Sequence, residues 1–202
     1  MFRLILLIAI AMLLFGIYNS FSLPAKIESY RIVFLHVPSA IASYLAFTVS
    51  FIYSISFLRN SSPKSDEIAS RSAKFGFIMA IVAFISGAIW AKETWGAYFT
   101  WYEIREVIVL LMLFIYAVYF SLRNLVEEKA RISAIYLIIA YITVPLSYIS
   151  GFFSPLHPRP FEAEFSPEWR LNLILMIISF ALIYASYMLK ETRRINQKAH
   201  KT

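Results

Sequence analysis

Val37-Pro38-Ser39-Ala40-Ile41-Ala42-Ser43-Tyr44-Leu45-Ala46-Phe47-Thr48-Val49-Ser50-Phe51-Ile52-Tyr53-Ser54-Ile55-Ser56-Phe57-Leu58 contains no charged side chain. About 20 apolar residues in a helix cross the hydrocarbon of a bilayer, and this run is long enough. It lacks the strict alternation of a lipid-facing barrel strand. An open strand would leave its backbone groups unpaired in lipid. The run therefore reads as a membrane-spanning helix, and comparable runs recur along the chain. Six spans result, at about 4–20, 37–58, 75–91, 107–122, 132–152 and 171–189. The expected fold class is all-α: one polytopic transmembrane domain over residues 1–202, with no linker long enough to hide a soluble domain.

Composition agrees. Of 202 residues, 60% are hydrophobic, against nearer half in a soluble domain. There is no cysteine, which excludes disulfides, thiolate metal sites, thiol catalysis and covalent haem attachment through C-x-x-C-H. The net charge of +7 reads as basic loops on the cytoplasmic side of a membrane protein, and no nucleic-acid partner is expected. The first span follows Arg3 and precedes Ser20 and Ser22, a weak fit to a signal peptide. A retained helix is the expectation.

Orientation follows from lysine and arginine. With six spans, thirteen of the nineteen basic residues fall on the side that carries both termini, and six fall on the other. The richer side is expected to be cytoplasmic. Segments 22–31, 92–105 and 154–170 then face outward, and they hold the unusual residues.

Two of the three histidines, His36 and His157, lie on that outer side; His200 sits in the basic tail. Proline favours the first turn of a helix, so the second span is expected to begin near Pro38, with His36 just before it at the interface. His157 lies in Ser154-Pro155-Leu156-His157-Pro158-Arg159-Pro160, a stretch that three prolines hold extended. Neutral imidazole is a good iron ligand. No H-x-x-H or H-E-x-x-H spacing points to zinc. Each histidine read alone is better explained as an interfacial or loop residue; their shared face is what points to a cofactor.

Between them runs Trp90-Ala91-Lys92-Glu93-Thr94-Trp95-Gly96-Ala97-Tyr98-Phe99-Thr100-Trp101-Tyr102-Glu103-Ile104-Arg105-Glu106, with three of the chain's four tryptophans. Read as an interfacial helix, it puts Trp95, Tyr98, Phe99 and Tyr102 on one face. That face is either a platform for a flat macrocycle or part of an aromatic belt at headgroup level. Arg105 and Arg159 are candidates for carboxylate groups such as haem propionates, with Arg31 and Lys92 as second choices; simple interfacial anchoring is the alternative. Glu93, Glu103 and Glu106 are placed to pair with these cations or to orient a histidine. Ser166-Pro167-Glu168 reads as a helix start.

Trp95-Gly96-Ala97-Tyr98-Phe99-Thr100-Trp101 resembles the tryptophan-rich signature, roughly W-G-x-[WY]-W-x-W-D-x-R, of the haem exporter protein C (CcmC) family of cytochrome c maturation. His36-Val37-Pro38-Ser39-Ala40 resembles the family's H-V-P-[AS]-A stretch, and His157 sits where the family has its second outer histidine. Phe99 replaces a usual tryptophan. Tyr102 stands at the acidic position, and Glu103-Ile104-Arg105 looks like the family's D-x-R moved by one residue. The resemblance covers nearly the whole chain. It implies a protein of the cell membrane that is not an enzyme and binds haem b non-covalently at the outer face. His36 and His157 would be the axial ligands; Trp95, Gly96, Tyr98, Phe99 and Trp101 would be the platform. Gly96, lacking a Cβ, would permit close approach. The implied partners are a haem chaperone, ABC-type transporter subunits of the maturation system and the lipid bilayer. Two other readings are a haem-containing electron carrier of cytochrome b type and a haem-free transporter subunit. The first usually places histidines deep within spans. The second expects polar residues at mid-span, where these spans offer mainly Ser and Thr.

Overall fold

The computed structural model describes residues 1–125, 128–158 and 165–199. The described residues form helices joined by short turns: α1 Phe2–Ser22, α2 Val33–Asn60, α3 Pro63–Trp95, α4 Ile104–Leu125, α5 Lys129–Ala140, α6 Thr143–Ser150 and α7 Pro167–Ala199. A 3₁₀ turn at Glu28–Ile32 leads into α2. Six segments are long and apolar enough to span a membrane, with α5 and α6 together making the fifth.

α2 is the hub, packing on α3, α5 and α7, while α1 lies along α7. Burying apolar surface does not drive helix pairing within lipid; close backbone approach and polar contacts do. The α2–α3 pair follows that rule. Along α3, Ala69, Ala73, Gly76, Ala80 and Ala83 recur every three or four residues and are buried, opposite the small residues Ser39, Ala42, Ser43, Ala46 and Ser50 of α2. The Phe47 ring fills the space a Cβ at Gly76 would take. Ser72 donates a hydrogen bond to the Ala46 carbonyl at 2.6 Å. Phe47 also stacks on Tyr116 of α4 at 3.8 Å, which joins α4 to the same core.

Helix α1 is fixed along α7 by comparable means. Gly16 accepts the Met176 side chain, and Asn172 donates to the Gly16 carbonyl and to Ser20 Oγ, both at 3.1 Å.

Proline has opposite outcomes in two helices. Pro145 removes a donor and crowds the carbonyl four residues back. That carbonyl belongs to Tyr141, and it accepts from Val144 instead, so the fifth span breaks between α5 and α6. Pro38, by contrast, lies inside α2. The helix does not begin there: the 3₁₀ turn starts the coil at Glu28 and α2 proper starts at Val33. Pro38 falls early enough to cost only the bond to Phe34. Ser39 Oγ sits 2.8 Å from the Leu35 carbonyl and 2.9 Å from that of His36, covering the loosened turn. His36 is therefore a helical residue held in the bundle, not an interfacial residue ahead of it.

The aromatic segment also departs from expectation. α3 runs through Trp95 and stops at Gly96, whose φ of 80° is left-handed. Residues 97–103 are not helical, so Trp95, Tyr98, Phe99 and Tyr102 share no helix face. The expected start at Ser166 stands: α7 begins at Pro167, and Ser166 Oγ accepts from the Trp169 amide at 3.4 Å.

Candidate functional site

The connections 23–32, 96–103 and the segment after α6 meet at one end of the bundle. Trp169 donates to the Pro24 carbonyl at 2.8 Å, and Arg31 donates to the Leu23 carbonyl at 2.8 Å. His36 from α2 and His157 from the segment after α6 come together there. Their ring centres are 6.2 Å apart, with planes inclined by 43°.

Each imidazole has one nitrogen engaged. His36 Nδ1 lies 2.9 Å from the Ala83 carbonyl. A carbonyl only accepts, so Nδ1 carries the proton and Nε2 keeps its lone pair. His157 Nδ1 has two neighbours, the Pro158 carbonyl at 2.8 Å and Arg105 Nη1 at 3.4 Å. A guanidinium only donates, so Nδ1 cannot satisfy both. The shorter contact governs, and His157 too is the tautomer with Nε2 free. Burial, with the Arg105 charge second, pushes the His157 imidazole down to about 4, so at neutral pH the ring is uncharged.

Both histidines rest on one face of α3. Ala83, Ser86, Gly87 and Trp90 fall at i, i+3, i+4 and i+7. Ala83 supplies the carbonyl. A Cβ on Gly87 would stand 3.0 Å from His36 Cε1. Trp90 meets His157 edge-on at 6.1 Å and Trp95 at 5.2 Å. Neither Gly87 nor Trp90 was singled out from sequence, although the small-residue spacing along α3 carries the signal.

Glu103, at the start of α4, is fully buried. It accepts hydrogen bonds from Ser154 Oγ, from the Leu156 amide at 3.1 Å and from the Arg105 amide at 3.2 Å. Ser154 Oγ in turn accepts from the His157 amide at 3.0 Å. Arg105 lies against Gly151, where a Cβ would stand 2.5 Å from Nη1. Among the described residues Arg105 makes no salt bridge.

The other expected site residues are more dispersed. Trp95 joins the histidines through Trp90. Phe99 and Trp101 pair edge-to-face at 5.0 Å, and Trp101 is 75% exposed. Tyr98 lies under Lys92 Nζ at 5.6 Å. Gly96 has open space around its Cβ position and ends α3. Arg159 and His200 lie outside the described residues.

Chemically, this arrangement suits a metal held from two opposite sides. Metal–imidazole bonds are about 2 Å, so two such bonds plus the ring radii match the observed separation of ring centres. No cluster of three or more His, Asp or Glu ligands exists among the described residues. Arg105, 3.4 Å from His157 Nδ1 and without a salt bridge among the described residues, is placed to meet a carboxylate.

The family model described as "Heme exporter protein C" (CcmC) matches residues 1–202. The chain belongs to this family. CcmC relatives include a ccmC-like mitochondrial protein of cytochrome c biosynthesis from Marchantia polymorpha, 27% identical over 83% of this chain and 74% of the relative. Heme exporter protein C of Bradyrhizobium diazoefficiens is 26% identical over 91% of this chain and 74% of its own length. The Escherichia coli protein of the same name is 25% identical, covering 83% and 71%. The six-helix architecture is therefore that of a CcmC-family membrane protein.

Proposed function

We propose that this CcmC-family chain handles haem in cytochrome c biogenesis, binding it non-covalently as cargo between His36 and His157. The observation that carries this reading is the histidine pair itself. Two imidazoles from separate parts of the chain come within 6.2 Å, with both Nδ1 atoms engaged by carbonyls and both Nε2 atoms without a hydrogen-bond partner among the described residues. Hydrogen bonds at the second nitrogen fix ring orientation and raise ligand basicity. The iron would be taken through Nε2 of each ring. Arg105, and Arg159 by sequence, would face the propionates. Trp95, Gly96, Tyr98, Phe99 and Trp101 would line the approach of the macrocycle.

The excess of basic residues at the end opposite the histidines favours an orientation with both termini cytoplasmic and the haem site facing outward across the cell membrane. Haem held at an aqueous interface can be passed on when a partner supplies a competing ligand. That partner is a haem chaperone, with ABC-type transporter subunits of the maturation system alongside. The chain works by binding and release, not as an enzyme.

The test is an absorption spectrum of the intact chain purified in mild detergent with haem supplied. Wild type is expected to give a six-coordinate Soret band. His36→Ala and His157→Ala should each lose or shift it, and His200→Ala should keep it. A folded wild type that takes up no haem sinks the reading, and the aromatic segment reverts to an interfacial belt.

A further inference from the structure

A buried carboxylate is costly unless hydrogen bonds satisfy it, and Glu103 is fully buried. Its partners are unusual for a charged group in this bundle. It forms no salt bridge among the described residues. Its oxygens take the Arg105 amide of its own helix start and two donors from the distant 154–156 stretch, the Ser154 hydroxyl and the Leu156 amide. The Ser154 hydroxyl then receives the His157 amide. One side chain thus joins the start of α4 to the arm that carries His157, with a single hydroxyl between carboxylate and histidine backbone. Prolines at 155 and 158 stiffen this arm but supply no amide donors of their own, so few other backbone bonds are available to seat it.

We propose that Glu103 is the positioning residue that seats the His157 arm, through Ser154 and Leu156, so that His157 faces His36. The inference rests on the reading of His157 as a haem ligand only for its functional consequence; the seating of the arm is testable without haem. Hydrogen-bonded groups behind a metal ligand are worth about 10–100-fold in affinity, and Glu103 acts one link further out, through the backbone. Its removal is expected to cost about tenfold.

The experiment uses the full chain, which lacks cysteine, so a spin label at Leu156→Cys reports on the arm alone. Leu156 is exposed and tolerates a label. In the Glu103 background the label should be restrained. In Glu103→Ala it should become mobile, and Glu103→Gln, which keeps an acceptor for Ser154, should restore most of the restraint. Ser154→Ala should fall between; it carries the test if Glu103→Ala does not fold. With haem supplied, Glu103→Ala should show the five-coordinate spectrum of His157→Ala, and added imidazole should return both to six-coordinate.

A label equally restrained with and without the carboxylate overturns the proposal. A mobile label with an unchanged six-coordinate spectrum overturns it as well, because the arm would be loosened without releasing the ligand. If wild type binds no haem, or His157→Ala leaves its spectrum intact, the haem reading fails; the label still decides whether Glu103 seats the arm.

Discussion

The two ends of the bundle use charge in opposite ways. At the end away from the histidines, opposite charges meet directly. Arg123 grips Asp66 with two bonds of 2.7 and 2.6 Å between α4 and α3. Arg71 lies between Glu67 at 2.6 Å and Glu191 of α7 at 3.6 Å, and Arg194 pairs with Glu191 at 3.1 Å. At the histidine end, the ion pair among described residues is Arg31–Glu28, within one turn. Glu103 is satisfied there by neutral donors, Arg105 makes no salt bridge among the described residues, and two imidazoles each have Nδ1 at a backbone carbonyl. One end is closed upon itself and clamps helices. The other is held by neutral hydrogen bonds around the two imidazoles.

The strongest way to break this comparison is at the histidines. His36→Ala or His157→Ala should each reduce haem retention by at least about 100-fold, beyond the usual loss for a supporting group, while barely moving thermal stability. Haem titration followed by absorbance, with a melting curve on the same samples, checks both halves. An equal loss of stability in the haem-free state would make the histidines structural.

The complementary cut is at the clamp. Asp66→Ala leaves Arg123 mostly buried without its partner; both side chains are only 15% exposed. Stranding a buried charge costs about 3–5 kcal/mol, and partial exposure brings the expectation to about 2–4 kcal/mol. Thermal unfolding in detergent should register that loss with the haem spectrum unchanged. A haem spectrum that shifts with Asp66→Ala would mean that the two ends are coupled, and the division drawn above would not hold.

Much of this was legible in sequence, for reasons that differ by element. The six spans were readable because lipid demands long apolar helices, a constraint each segment meets alone. His36 and His157 could be placed on one side by counting crossings. What failed depended on neighbours in the chain or in space. Pro38 reads as a helix start, but the 3₁₀ turn before it begins the coil earlier, so the lost bond is an early one. The aromatic run reads as one helix because its spacing fits, yet Gly96 adopts a positive φ that ends α3. For Glu103 the sequence leaves open pairing with a cation or orienting a histidine, because its bonds to Ser154 and Leu156 join positions some fifty residues apart, which no local pattern encodes. The seat of His36 on α3 does leave a local trace. Ala83, Ser86 and Gly87 continue the small-residue stripe that marks close helix approach.

That seat gives a finer test. In Gly87→Ala the new Cβ would stand 3.0 Å from His36 Cε1 and 3.3 Å from Nδ1, tighter than ordinary contact. The ring must turn by a few tenths of an ångström, straining its bond to Ala83. Haem affinity should fall by about tenfold, equivalent to about 1.4 kcal/mol, with the melting temperature nearly unchanged. Full affinity in this variant would mean that His36 reaches its ligand from a position other than the one α3 supports.

The smallest effect sharpens the remaining ambiguity, whether the aromatic segment belongs to the site or to the membrane interface. Gly96 turns the chain out of α3 with φ of 80°, and nothing lies within 4 Å of its Cβ position. Alanine there meets no clash, so its cost is backbone strain alone, about 1 kcal/mol, or about 2–4 °C in melting temperature for a chain of this size. Asparagine tolerates the left-handed region better and should recover most of the loss. The informative quantity is haem affinity in the same pair. The turn at Gly96 sets where Tyr98, Phe99 and Trp101 stand relative to Trp95 and Trp90. If they contact the macrocycle, Gly96→Ala should weaken binding a few-fold and Gly96→Asn should restore it, in step with the melting curve. If they form only an interfacial belt, affinity will stay constant while stability moves, and the site contracts to the histidines, Arg105 and Trp90.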